Sequence, residues 1–163
     1  MVKINEFLLL GMGSIMRSLM ELLHHEKHEF LKNKMSCICP EEIPQYIYKI
    51  KPDIKHIKKY ITESNYKKLL QPYMIPNCFV IDLTVNTDSI ALIKLCASNN
   101  VNYINTSIEE YIKPNKQKNK EKLTLYYQDI QLQKQTKNIK NDTTQLHSMG
   151  LNPGAISSLV MKA

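Results

Sequence analysis

The sequence predicts an α/β fold in which a doubly wound parallel sheet makes a single domain. Three observations carry that expectation. Short apolar runs alternate with amphipathic or polar segments along the chain, the signature of βαβ units. The first run closes on Phe7-Leu8-Leu9-Leu10, apolar at consecutive positions, as in a strand buried on both faces. That run breaks at Gly11-Met12-Gly13, and an amphipathic segment follows at once. Paired glycines let the chain turn tightly and bring backbone close to a phosphate at a helix N-terminus.

At 163 residues, with 43% hydrophobic and 23% charged side chains, the chain is long enough for one domain with a proper core. No apolar run reaches the roughly 18–20 residues that cross a bilayer. Met1–Glu6 lack the basic and apolar regions of a leader, so a cytoplasmic protein with no membrane partner is expected. The net charge of +7 comes almost wholly from lysine, and Arg17 is the single arginine. Base-reading proteins favour bidentate arginine contacts, so nucleic acid is not an expected partner. Cys37-x-Cys39 has the wrong spacing for a zinc knuckle, and Cys78 and Cys96 add no second pair. Buried reduced thiols, and no metal, are expected. His24, His25 and His28 crowd one helix end without converging on a single point.

The elements follow in order. Ile4–Leu10 reads as a strand, then a helix capped by Ser14 with Ile15, Leu19, Leu22 and Leu23 on one face, opposite Arg17, Glu21 and His25. Met35–Cys39 is a second strand, stopped by Pro40; Glu41–Lys51 is loop with a short helix. Ile54–Ile61 is a third strand and Glu63–Leu70 a short helix with Leu69 and Leu70 inward, ended by Pro72 and Pro76. Phe79–Leu83 is the cleanest strand of the middle. A helix over Asp88–Asn99, capped by Thr87 or Asp88, buries Ile90, Leu92, Ile93 and Cys96. Val101–Asn105 is the next strand. Pro114–Lys122 is a solvated polar run leading to a polar helix through about Gln135, with Leu123, Tyr126, Tyr127 and Ile130 as its thin apolar stripe. A last strand near Thr144–Ser148 precedes the turn Met149–Gly154 and a helix from Ala155.

Open parallel sheets bind ligands beyond the C-terminal ends of their strands. Here those ends are Gly11-x-Gly13, Cys39-Pro40-Glu41, Leu83-Thr84-Val85-Asn86, Asn105-Thr106-Ser107-Ile108-Glu109 and Gly150-Leu151-Asn152-Pro153-Gly154. Hydroxyls, amides, glycines and a carboxylate gather there, while the strand interiors are mainly apolar. A Rossmann-type arrangement also calls for an acidic residue after the second strand to hold the adenosine ribose. Cys39 stands in that place, with Glu41 or Glu42 within reach as substitutes. No arginine is nearby to welcome a 2′-phosphate, so NAD is the expected form.

Six segments, in order, resemble homospermidine synthase of the saccharopine-dehydrogenase-like group. Leu9-Leu10-Gly11-Met12-Gly13-Ser14-Ile15 is similar to that family's G-F-G-S-I-G opening, and Cys37-Ile38-Cys39-Pro40 stands at its I-D-P. Ile61–Leu70 resembles T-x-x-N-Y-x-x-L-L, and Asp82–Ser89 resembles N-L-S-V-D-x-S-S. Tyr103-Ile104-Asn105-Thr106-Ser107-Ile108-Glu109 is similar to Y-I-D-T-x-x-E, and Gly150–Ser157 to G-A-N-P-G-x-V-S. Met16, Cys39 and Asn105 depart from the family's glycine and two aspartates, and Glu110-Tyr111 from its Pro-Trp.

The resemblance implies a function. The family uses NAD as a hydride carrier. It oxidises putrescine to an imine, lets a second putrescine or the aminobutyl part of spermidine replace the nitrogen, and reduces the new imine. It assigns Glu109 and Asn152 to the substrate site and Gly11, Gly13, Ser14 and Ile15 to the pyrophosphate loop. Cys39, Thr84, Val85 and Thr106 are assigned to the cofactor cleft. The expected partners are a putrescine- or spermidine-type diamine and either a second copy of the chain or a separately encoded C-terminal domain. Residues 1–150 are expected to form the Rossmann-type NAD-binding domain, and 151–163 the start of a helix leading to the family's second domain. With half of the substrate pocket on that second domain, little turnover is expected of this chain alone. The alternative class is a degenerate Rossmann-fold interaction module without catalysis.

Overall fold

The computed structural model describes residues 4–85, 87–111, 124–139 and 142–148. Six strands, β1 (Glu6–Leu10), β2 (Lys34–Cys39), β3 (Lys55–Lys58), β4 (Cys78–Asp82), β5 (Asn102–Asn105) and β6 (Gln145–Leu146), form one sheet. Its order is β3-β2-β1-β4-β5-β6 and every pairing is parallel, as the alternating pattern predicts. Helices α1 (Ser14–His25) and α2 (Gln45–Ile50) cover one face. The other carries α3 (Tyr66–Leu70), α4 (Ser89–Ser98) and α5 (Leu125–Thr136).

β1 is the centre of the sheet, and its sequence shows why. Phe7, Leu8, Leu9 and Leu10 are each at most 2% exposed. Alternation sends Leu8 and Leu10 into the core under α4 and Phe7 and Leu9 into the core under α1. Because β1 has β2 on one side and β4 on the other, the order of strands reverses beside it. The loops after β1 and β4 therefore part, and a crevice opens between them.

α1 packs differently from the expected arrangement. Met16 and Met20 are its buried residues, with Met12 just before it, whereas Ile15 and Leu22 are 59% and 58% exposed. A four-residue spacing of methionines makes the inward stripe, and long unbranched side chains fill the space above Phe7 and Leu9. Each contributes about 1.5–3 kcal/mol by leaving water. Met16, which replaces the glycine of the fingerprint, is thus part of the core.

Other boundaries move for identifiable reasons. The helix expected from Glu63 starts at Tyr66. Asn65 closes a turn first: its Oδ1 accepts from the Thr62 N–H at 2.9 Å and its Nδ2 donates to the Tyr60 carbonyl at 2.9 Å. Asp88, not Thr87, caps α4, with Oδ1 accepting from the Ala91 N–H at 2.9 Å. On α5 the deeply buried residue is Leu132, while Tyr126 is 76% exposed. The polar run 114–122, Asn86, the turn with Asn152 and the helix from Ala155 lie outside the described residues.

Candidate functional site

A cleft of about 830 Å³ lies over the crevice between the β1 and β4 loops. Gly11, Gly13, Ser14 and Ile15 border it from the first loop, and Thr84 and Val85 from the second. Six residues expected at a cofactor site therefore meet in one space, although they are separated by about seventy positions in sequence.

The two glycines do different work. Gly11 has φ +83°, and a Cβ there would sit 3.2 Å from the Leu83 carbonyl oxygen and 3.3 Å from Thr84 Cγ2. The fold itself requires it, because the chain leaving β1 still packs against the chain leaving β4 here, before the two loops part. Gly13 has an ordinary φ of −71°, and an added Cβ would meet nothing within 4 Å. Its missing side chain leaves space that no atom of the described residues uses. Gly13 also occupies the N-cap of α1, where no side chain caps the helix and no acidic residue lies in the first turn. Ser14, expected as the cap, is the first helical residue. The leading N–H groups and the positive end of the helix dipole are left facing the cleft, a cradle for a phosphate-bearing group. The residues present fit the pyrophosphate of a dinucleotide.

At the end of β2, Cys39 does not border the cleft. Its side chain is 1% exposed and turned toward the α1-side core. Sγ donates to the Glu41 carbonyl at 3.3 Å and meets His56 Nε2 at 3.3 Å, with Cys37 Sγ at 3.8 Å. Burial pushes both thiols up, away from thiolate. Glu41, Glu42, Lys59 and Tyr60 form this end of the cleft instead. Glu42 pairs with Lys58, whose ammonium holds the carboxyl below the usual range.

At the ends of β4 and β5, on the α4 face, is a buried polar chain that reading the sequence did not anticipate. Register places Asp82 beside Asn105, with Tyr103 two residues back on the same face. Tyr103 Oη donates to Asp82 Oδ2 at 2.7 Å, and Asn105 Nδ2 donates to Tyr103 Oη at 3.0 Å and to Ser89 Oγ at 3.2 Å. The Thr84 N–H (3.1 Å) and hydroxyl supply Asp82 Oδ1, and Thr84 Oγ1 in turn meets Thr87 Oγ1 at 2.6 Å. Burial pushes the Asp82 carboxyl up, against the pull of these donors and helped by the charge of Glu109.

Ser89 links that chain to Glu109. Its Oγ accepts the Glu109 N–H at 2.8 Å, while the Glu109 carbonyl accepts the Ser89 N–H at 3.0 Å. Ser107 Oγ donates to Glu109 Oε1 at 3.0 Å, fixing the half-buried carboxylate beside the end of β5. Thr106, half-buried on the same loop, does not border the cleft. Asp82 carried the one signal that could have revealed the chain: a carboxylate closing an otherwise apolar strand. Arg17 carried another, as a lone arginine one turn beyond the glycines; it borders the cleft too.

Known proteins resemble the chain in sequence and in fold. Over 162 residues the chain is 28% identical to a homospermidine synthase of Mesorhizobium japonicum, and 26% identical over 167 residues to one of Blastochloris viridis. Each comparison covers 95% of this chain but 33% of the relative, so the chain spans about a third of their length. The crystal structure of a homospermidine synthase from Legionella pneumophila in complex with NAD superposes with a TM-score of 0.79 at 27% identity, over 99% of this chain and 33% of that one. Residues 7–146 match the model of the saccharopine dehydrogenase NADP-binding domain, and the chain belongs to that family.

Proposed function

We propose that this chain binds NAD in the crevice between β1 and β4 and forms the dinucleotide-binding part of a homospermidine-synthase-like activity. The observation that carries the reading is the unfilled space above Gly13, at an uncapped helix N-terminus facing the cleft. When bound, the dinucleotide supplies a hydride acceptor and donor. The net reaction then transfers an aminobutyl group between diamines through imines, releasing ammonia, with no net oxidation. Glu109 offers its carboxylate to one ammonium end of the diamine, oriented by Ser107. Asn152 is assigned to the same substrate site on its motif alone. At the β2 end of the cleft Glu42 is neutralised by Lys58, while Glu41 has no ion-pair partner among the described residues, a charge that disfavours a 2′-phosphate.

Calorimetry with NAD tests this reading. Saturable binding that is lost in Gly13→Asp, whose carboxylate would occupy the phosphate position, supports it. The absence of heat at millimolar NAD, with the protein folded, would favour an interaction module that keeps the fold without the cofactor.

A further inference from the structure

Arg17 is the residue that the binding reading leaves unexplained. It is the only arginine among 163 residues. It lies one turn into α1, its N–H donating to the Gly13 carbonyl at 3.0 Å, and its side chain borders the cleft together with Gly13, Thr84 and Thr87. Its Nε is shielded from solvent and has no hydrogen-bond partner among the described residues. Among the described residues no carboxylate lies within ion-pair distance of it. A guanidinium with a desolvated N–H and no acceptor is costly to maintain. The geometry implies an acceptor that the described residues do not provide.

The chemistry of that acceptor is constrained. A diamine substrate carries ammonium groups and would be repelled from Arg17, so the substrate does not answer. A ribose hydroxyl or a carboxamide would satisfy one N–H but leave the charge uncompensated. A phosphate oxygen satisfies both, and a planar guanidinium can take two phosphate oxygens at once. We propose that Arg17 clamps the pyrophosphate of the dinucleotide alongside the backbone N–H groups that follow Gly13, from one turn further along the same helix. The proposal rests on the NAD-binding reading. It adds a cationic side chain to a loop motif that otherwise acts through backbone alone.

The test is titration of the whole chain with NAD, ADP-ribose, NADP and adenosine, for the native protein and for Arg17→Gln and Arg17→Lys. Glutamine keeps helix propensity and an unbranched polar side chain, so the fold should persist, and the melting temperature without ligand should not fall. Arg17→Gln is expected to weaken NAD and ADP-ribose alike by about 10- to 100-fold, the loss for removing a hydrogen bond to a charged group. Adenosine, which has no phosphate, should bind both proteins equally. Arg17→Lys should fall between, because it keeps the charge but not the fork. Raising salt should weaken NAD binding less in Arg17→Gln than in the native protein. Equal NAD affinity in native protein and Arg17→Gln would overturn the clamp while leaving NAD binding intact. A penalty confined to NADP would overturn the pyrophosphate assignment in favour of the 2′-phosphate. Failure of the native protein to bind NAD or ADP-ribose at all would overturn both readings.

Discussion

Tyr103 donates its hydroxyl to Asp82 over 2.7 Å while receiving the side-chain amide of Asn105, so one phenol joins the ends of β4 and β5. In the family pattern these two strand ends read N-L-S and Y-I-D-T; here they read Asp82-Leu83-Thr84 and Tyr103-Ile104-Asn105-Thr106. Relative to that pattern, carboxyl and amide are exchanged in sequence between the two strand ends. A tyrosine can serve either arrangement, because its oxygen both donates and accepts. Asp82→Asn and Asn105→Asp made singly should each destabilise the protein, and the double exchange should recover most of the loss. Urea unfolding of the three variants measures the coupling.

The same carboxyl gives stability a pH dependence. Asp82 is pushed up by burial, so the folded state holds its proton more tightly than the unfolded chain does. Its contribution is fully present below the ordinary carboxylate value of about 4 and is lost as pH rises through the raised folded value. Asp82→Asn should flatten that decline in a pH series of unfolding free energies. Tyr103→Phe should cost about 1–3 kcal/mol by leaving Asp82 Oδ2 without its donor and the Asn105 amide without one of its acceptors.

Gly11 and Gly13 should separate folding from binding. Gly11→Ala meets a positive φ and a crowded β4 loop, so the melting temperature should fall by about 2–8 °C. Gly13→Ser meets no clash and adds a favoured helix cap, so the melting temperature should hold or rise. NAD affinity should nonetheless drop in Gly13→Ser, since the hydroxymethyl fills the space that the phosphate needs. Differential scanning fluorimetry with and without NAD reads both effects.

The thiols should be inert in the folded protein. Cys37, Cys39, Cys78 and Cys96 are free and no more than 1% exposed, and burial pushes each thiol up, Cys78 to about 12. Ellman's reagent at neutral pH should find almost no fast-reacting thiol in the native protein and all 4 in denaturant. A rapid equivalent in the native state would mean that the end of β2 opens.

Glu109→Gln should leave NAD affinity unchanged and weaken putrescine binding to the NAD-loaded protein by about tenfold or more, the scale of a lost charge-assisted contact. Ser107→Ala should produce a smaller loss, because it frees the carboxylate without removing it. Loss of NAD binding in Glu109→Gln would instead assign Glu109 to the cofactor.

Much of the fold was legible because buried parallel strands announce themselves as apolar runs, and the Gly11-x-Gly13 break fixes where the sheet opens. What escaped depends on contacts across the sheet. Asp82, Tyr103 and Asn105 are 2 to 23 positions apart, and only the β4–β5 register brings them together. The inner face of α1 escaped for another reason. Ile15 and Leu22 rank as more hydrophobic than Met16 and Met20, yet the position of the helix over Phe7 and Leu9 selects the methionines. Cys39 was placed by motif position, whereas strand alternation turns its side chain away from the cleft.

Ile15 on the first turn of α1 and Val85 beyond β4 border the cleft from its two sides, 59% and 70% exposed. Two aliphatic lips in water, one on each wall, form a slot suited to a flat ring. A ring sliding between them would strip solvent from its own faces and from both side chains together. Association with NAD should therefore carry a distinctly negative heat-capacity change, visible as a binding enthalpy that grows more favourable on warming. Replacing both side chains by serine should shrink that slope while leaving the phosphate end of the cleft untouched.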